Sequence, residues 1–124
     1  MLFNVSDDGY VTLENFSPRD RKDTREKRPK WCGIAEVHLC GENPNDHHFA
    51  KHTGGSGSVS LKYKSHEYYK NTDGNKLEIT LVDEKMLLTV HYQFYTGIPV
   101  VRAWTVAQNI SSLPIGLEYL SSFS

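Results

Sequence analysis

Six histidines and two cysteines are the residues with the most chemistry to offer in this sequence. His47, His48 and His52 crowd into GENPNDHHFAKHTGG, with Asp46 beside them and His38 and Cys40 a few residues upstream. Zinc takes His and Cys ligands, typically in close pairs spaced C-x2-4-C or H-x3-5-H. His48 and His52 have the second spacing, but the cysteine half of such a site is absent, and in a strand–loop context the spacing carries little geometric force. The stretch reads as an exposed polar loop whose histidines bond backbone, with His47, His48, Lys51 and His52 as the residues placed to contact a ligand or a partner subunit. No metal or other cofactor is expected. Cys32 and Cys40 lie in or beside the apolar run WCGIAEVHLC. Two cysteines are too few for a disulfide framework, and they read as small buried hydrophobes.

Other constellations are weaker. Glycoside hydrolysis needs two carboxyl groups facing each other across the sugar, about 5–5.5 Å apart for retention. The acids Asp7, Asp8, Asp73, Asp83 and Glu84 are scattered through turn-like stretches, where acids serve turn geometry and solubility. No Ser-His-Asp geometry can be read from a list of residues, and the glycines of TGGSG lack the strand–GxxxxGK[ST]–helix context of a phosphate loop. Tyr63, Tyr68, Tyr69, Trp104 and Tyr119 have rings that stack on sugars, but on alternating strands such residues read as core or inter-sheet packing. Lys62, Lys64 and Lys70 read as a solvated face.

The elements that would position these residues are strands. A chain of 124 residues with 38% apolar content fits one domain. Its net charge of −1, with both signs interspersed, gives no sign of nucleic-acid binding. No stretch approaches the roughly 20 apolar residues of a membrane helix, and MLFNVSDDGY lacks the long apolar region of a signal peptide. Neither a membrane nor a nucleic-acid partner is expected, and the expected compartment is the cytoplasm. The sequons at Asn4, Asn15 and Asn109 matter only in a secreted chain.

Leu2 to Val5 and Tyr10 to Leu13 flank Asp8-Gly9, a hairpin signal. Ile34 to Leu39 is a short apolar run, and Val59 to Tyr63 alternates. Leu77, Ile79 and Leu81 point one way, as do Leu88, Val90, Tyr92 and Phe94 in the next strand. Thr96-Gly97-Ile98-Pro99 turns into a long strand, Val100 to Asn109. Ser111 to Pro114 turns again into Ile115, Leu117 and Tyr119 on one face. Apolar residues nowhere keep a helical period for three turns. The pattern predicts an all-β, antiparallel β-sandwich with long polar loops at 17–30, which is dense in charge, and at 43–58, which is rich in Gly and His. The last strand wants neighbours, either by non-sequential pairing or from strands beyond Ser124, so the chain is expected to be one domain or the N-terminal part of one. An exposed edge would favour a homo-oligomer.

From His52 to Ser124 the chain resembles the N-terminal β-supersandwich domain of alpha-galactosidases of glycoside hydrolase family 36. The matching words are GENPNDHHFAKHTGG, LKYKSHEYYKNTDGNKLEITLVD and LLTVHYQFYTGIPVVRAWTVAQNISSLPIGLEYLSSFS. The family's characteristic segment is carried here by Leu88, Val90, Tyr92, Phe94, Pro99, Val100, Val101, Arg102, Val106, Asn109, Leu117, Leu120 and Ser121. Ala103-Trp104 departs from it, and Ser17 to Lys30 matches nothing in it. The resemblance implies a partial supersandwich. It also implies that the catalytic aspartates of a retaining enzyme for terminal alpha-galactosides lie in a (β/α)8 barrel outside this chain. The carbohydrate would then be met through that barrel, and this domain would serve barrel packing and oligomer contacts, with the Asn43 to His52 loop as a wall of a neighbour's pocket. A stand-alone carbohydrate-binding sandwich and a mutarotase-like sugar enzyme are the alternatives.

Overall fold

Strict alternation in two neighbouring strands builds the centre of this molecule. The computed structural model describes residues 1–17, 33–41 and 56–123. Along them run β1 (Leu2–Val5), β2 (Val11–Asn15), β3 (Val37–Leu39), a single helical turn α1 (Ser56–Ser60), β4 (Lys62–Lys70), β5 (Gly74–Val82), β6 (Met86–Tyr95), β7 (Val101–Asn109) and β8 (Leu117–Leu120). The last four long strands form one antiparallel meander in the order β4-β5-β6-β7. Its register stacks Leu77 beside Tyr92 and Ala103, Ile79 beside Val90 and Thr105, and Leu81 beside Leu88 and Ala107. One face of the sheet thus carries bulky side chains on the two central strands and small ones on β7. Leu88 and Val90 are fully enclosed, and Tyr92 nearly so.

That face is covered by a second layer, so the fold is an antiparallel sandwich. The layer consists of the β1–β2 hairpin and the β3–β8 pair; with the segment leading into β3 it supplies Val11, Leu13, Ile34, Ala35, Val37 and Leu39 to the common core, and Leu61, between α1 and β4, joins them. Phe3 packs on Tyr92 at 5.2 Å between ring centroids, and Phe123 meets the same ring edge-on. The two distant segments of the β3–β8 pair are joined by a reciprocal clasp. Glu36 N donates to Ser121 Oγ at 2.7 Å while Ser121 N donates to the Glu36 carbonyl at 2.9 Å. β8 therefore finds its neighbour out of sequence.

Turn acids and amides do the local work expected of them. Asp83 Oδ1 accepts from the backbone of Lys85 and Met86, and Asn71 Oδ1 accepts from Asp73 and Gly74. Gly74 has φ +147°, and a Cβ there would collide with the Phe94 carbonyl, so only glycine fits this strand start.

Several expectations need correction. Val59 to Tyr63 is not one strand, and the polar loop does not extend to residue 58. Residues 56–60 make the turn α1, where Ser58 Oγ both accepts from Val37 N and donates to Val37 O, closing one edge of β3. A short Ser/Gly segment has no apolar period to announce that role. Residues 18–30 and 43–55 of the two polar loops lie outside the described residues. Cys40 is exposed rather than buried, with its sulfur pressed against Gly116. Tyr68, Tyr69 and Tyr119 are exposed rather than core, and the aromatic that fills the core is Tyr92. In β8, Leu117 and Tyr119 face outward and Leu120 packs inward. No helix among the described residues is long and apolar enough to cross a membrane.

Candidate functional site

His47, His48, Lys51 and His52 lie outside the described residues. Of the remaining residues first considered for metal, His38 sits buried on β3 with Nε2 3.4 Å from the Glu36 carboxylate. Among the described residues no three His, Cys, Asp or Glu side chains converge to hold a metal ion.

The densest set of polar and aromatic side chains lies on the outer face of the four-stranded sheet. Alternation sends Lys76 and Glu78 of β5, His91 and Gln93 of β6, and Arg102 and Trp104 of β7 to the side opposite the core. Register then aligns them. Tyr69, Lys76, Gln93 and Arg102 form one row across the sheet, and Glu67, Glu78, His91 and Trp104 form the next. Side chains opposite each other in such rows have Cβ atoms about 4.5–5.5 Å apart, close enough to interact.

Glu78 is the hub. Lys76 Nζ stands 2.6 Å from its Oε1, His91 Nδ1 3.2 Å from the same oxygen, and the Tyr69 hydroxyl donates to it at 2.9 Å. The Lys76 hydrogen bond, ahead of the opposing effect of burial, holds the Glu78 carboxyl below its ordinary range, and the same contact raises the Lys76 ammonium. For His91, burial outweighs the attraction of Glu78 and pushes its pKa down. The Trp104 indole stacks on the His91 ring, with centroids 4.8 Å apart and planes within 9°. The Lys76 ammonium and the Arg102 guanidinium stand over the indole at 5.0 and 5.1 Å. Gln93 is tied separately to Asn71, whose Nδ2 donates to Gln93 Oε1 at 2.7 Å.

This arrangement is a closed network. A general acid needs a carboxyl that keeps its proton near neutrality, and Glu78 is held in the opposite state. Glu67 lies directly across from Glu78 on β4. Among the described residues the two share an open sheet face, without the facing walls between which a glycosidase pair holds its sugar. A sugar ring stacks on a bare aromatic face, whereas His91 covers one side of Trp104 and the cations stand over it.

A second feature is a cavity of about 300 Å³ between the end of β3 and the 111–116 turn, lined by Leu39, Cys40, Lys85, Leu113 and Ile115 among others. Among the described residues its lining holds the Cys40 thiol and the Lys85 ammonium and no acid or imidazole.

Sequence reasoning missed the outer-face network because its members come from four strands, and only the strand order brings them together. The available signal was the polar half of each alternation, with Glu78 already opposite the core set. Comparison with known protein families, with curated proteins and with solved structures finds no match to this chain.

Proposed function

We propose that this chain is a non-catalytic N-terminal domain, or part of one, of an alpha-galactosidase-like glycoside hydrolase acting on terminal alpha-galactosides. In this reading it serves packing against the catalytic barrel and contacts between subunits. The observation that carries it is where the family-like residues fall. Leu88, Val90 and Tyr92 are enclosed core, and Phe94, Val101 and Leu120 pack against that core. Asn109 builds the turn after β7, accepting from Ser111 N and donating to the Leu113 carbonyl. Ser121 forms the clasp with Glu36. These residues form one contiguous unit, β6 to β8 with its partners, and their tasks are folding tasks. A signature that puts these members in core, turn and clasp and leaves Val100, Arg102, Val106 and Leu117 exposed suits a scaffold that packs against other parts and whose chemistry is done elsewhere.

The test is the reading frame downstream of the Ser124 codon, with the purified chain assayed on an aryl alpha-galactoside. The expected result is a frame continuing into an eight-stranded α/β barrel and no turnover by the chain alone. A frame leading to an unrelated catalytic fold, or hydrolysis by the isolated chain, would overturn the proposal.

A further inference from the structure

The two outer strands of the meander are treated differently by the sequence. β4, KYKSHEYYK, carries Lys62, Lys64, Glu67 and Lys70 and a bulge between Tyr63 and Ser65. Charges and bulges are the devices by which an edge strand resists pairing with another chain. β7, VRAWTVAQN, has a single charge, Arg102, no bulge in its ladder, and nine regular residues rich in β-branched and small side chains. Among the described residues its only strand neighbour is β6.

The phase of that ladder is fixed. Ile110 N donates to Lys85 O just past the end of β7. Bonded and non-bonded pairs alternate in an antiparallel ladder. Arg102, Trp104, Val106 and Gln108 therefore turn their backbone groups toward β6. Val101, Ala103, Thr105, Ala107 and Asn109 turn theirs outward, away from the sheet. The midpoint of the outward set is Thr105, which is also the midpoint of the strand. Its Oγ1 is buried without a hydrogen-bond partner among the described residues, an arrangement that normally costs stability.

We infer that β7 pairs with β7 of a second copy of this chain, antiparallel, about a two-fold axis through Thr105. An isologous contact needs a self-complementary surface, and this register supplies one. Thr105 lies opposite the partner's Thr105, in a bonded pair, so that each hydroxyl gains a neighbour able to accept or donate. Trp104 lies opposite the partner's Val106, an aromatic/β-branched pair of the favourable kind, and covers a valine that is 49% exposed in the single chain. Ala103 meets the partner's Ala107 and Val101 the partner's Asn109. Arg102 meets the partner's Gln108, so the axis brings no like charges together. Centring the axis on Ala103 or Ala107 leaves part of the strand unpaired and Thr105 opposite a valine or an asparagine. Only the Thr105 axis pairs the whole of β7. The result is one continuous eight-stranded sheet. The inference stands on the strand itself and does not depend on the glycoside hydrolase reading.

Light scattering and sedimentation of the purified chain test it. The expected mass rises toward twice that of the chain as concentration approaches about 500 µM, a range that detects even weak association. Val106→Lys changes an exposed side chain, so circular dichroism should be unaltered. Because symmetry loses the Trp104–Val106 contact twice, the substitution should weaken the dimer about tenfold or more. Register is read separately. In a Cys32→Ser, Cys40→Ser background, Arg102→Cys and Gln108→Cys chains, mixed and oxidised, should form a mixed disulfide in preference to either like pair. A monomer throughout, as when a different segment or protein occupies this edge, overturns the inference. So does a dimer indifferent to Val106→Lys, or cysteine pairing without preference for the mixed species.

Discussion

Ser121→Ala isolates the clasp that joins β8 to the start of β3. Ser121 is 7% exposed and Glu36 only 2%, so water does not readily replace a lost partner there. The substitution leaves the bond from residue 121 N to the Glu36 carbonyl intact and removes the hydroxyl whose oxygen accepts from Glu36 N at 2.7 Å. No methylene is deleted and the space left by the hydroxyl is small, so the cavity contribution is minor. The cost is that of a buried amide without an acceptor, about 1–3 kcal/mol. For a chain of 124 residues, each kcal/mol corresponds to roughly 3–6 °C in Tm. A fall of roughly 3–18 °C is therefore expected by thermal unfolding, with a parallel shift in urea midpoint and no change in m-value. Ser112→Ala, in the exposed turn before β8, is the control and should stay within about 0.5 kcal/mol of wild type. A Ser121→Ala protein as stable as that control would refute the reasoning. It would mean that the Glu36 amide finds another acceptor, and that this serine of the family-like segment is not structural.

The remaining predictions probe the core, a backbone constraint, the outer-face network and the exposed aromatics. Leu88→Ala, at a fully enclosed position between β5 and β7, should cost about 2–5 kcal/mol in urea unfolding. Gly74→Ala places a methyl against the Phe94 carbonyl at positive φ and should cost about 1–3 kcal/mol on the same assay. Stability should fall on acidification in two stages. His91 has a depressed pKa in the fold, so the unfolded chain takes up its proton first, and stability declines as pH drops through the ordinary histidine range near 6.5. Glu78, also depressed, contributes stability above its unfolded value, and this is lost as pH falls further through the carboxylate range. His91→Gln should flatten the first stage of a Tm-against-pH profile and Glu78→Gln the second, and an unchanged profile in both variants would contradict the network. Galactose and melibiose, titrated calorimetrically to millimolar concentration, should give no binding heat with the isolated chain, because the Trp104 ring is already covered by His91, Lys76 and Arg102.

The parts of this fold legible in the sequence are those set by short-range alternation and turn chemistry. Leu77, Ile79 and Leu81, and Leu88, Val90 and Tyr92, fall on the enclosed side as their period of two requires. The hairpin around Gly9 and the turns at Asp83 and Asn109 follow from residues that bond their own backbone. What alternation does not say is how far the covering layer reaches. Tyr68 is in phase with Leu77 across the β4–β5 ladder yet is 63% exposed, because it lies on the edge strand beyond the second layer. Trp104 shows the complementary error. Its size suggests a core residue, but its phase places it outside with Arg102, where it is half-buried, stacked on a histidine and approached by two cations. The histidine-rich stretch first considered for ligand contact lies outside the described residues, so the network on the outer face is a different candidate from the one the sequence nominates.

The two surfaces of the meander bear together on the proposed pairing of β7. On the outer face each charge nearest the indole is already engaged. Glu78 is held below its ordinary range by Lys76 first and by Tyr69 and His91, and the half-buried Trp104 stacks on His91 with the two cations over its ring. Such a network resists rearrangement, because releasing one member strands its partners in a half-buried setting where unpaired charge is costly. It fixes the orientation of Trp104 on β7. Among the described residues, alternate backbone groups of that same strand face away from its one strand neighbour, its side chains carry a single charge, and the buried Thr105 hydroxyl has no hydrogen-bond partner. A regular strand with few of the charges and bulges that protect a sheet edge is where the proposed pairing with a second copy would extend the sheet. In the proposed dimer this network would stiffen the strand through which the two copies pair.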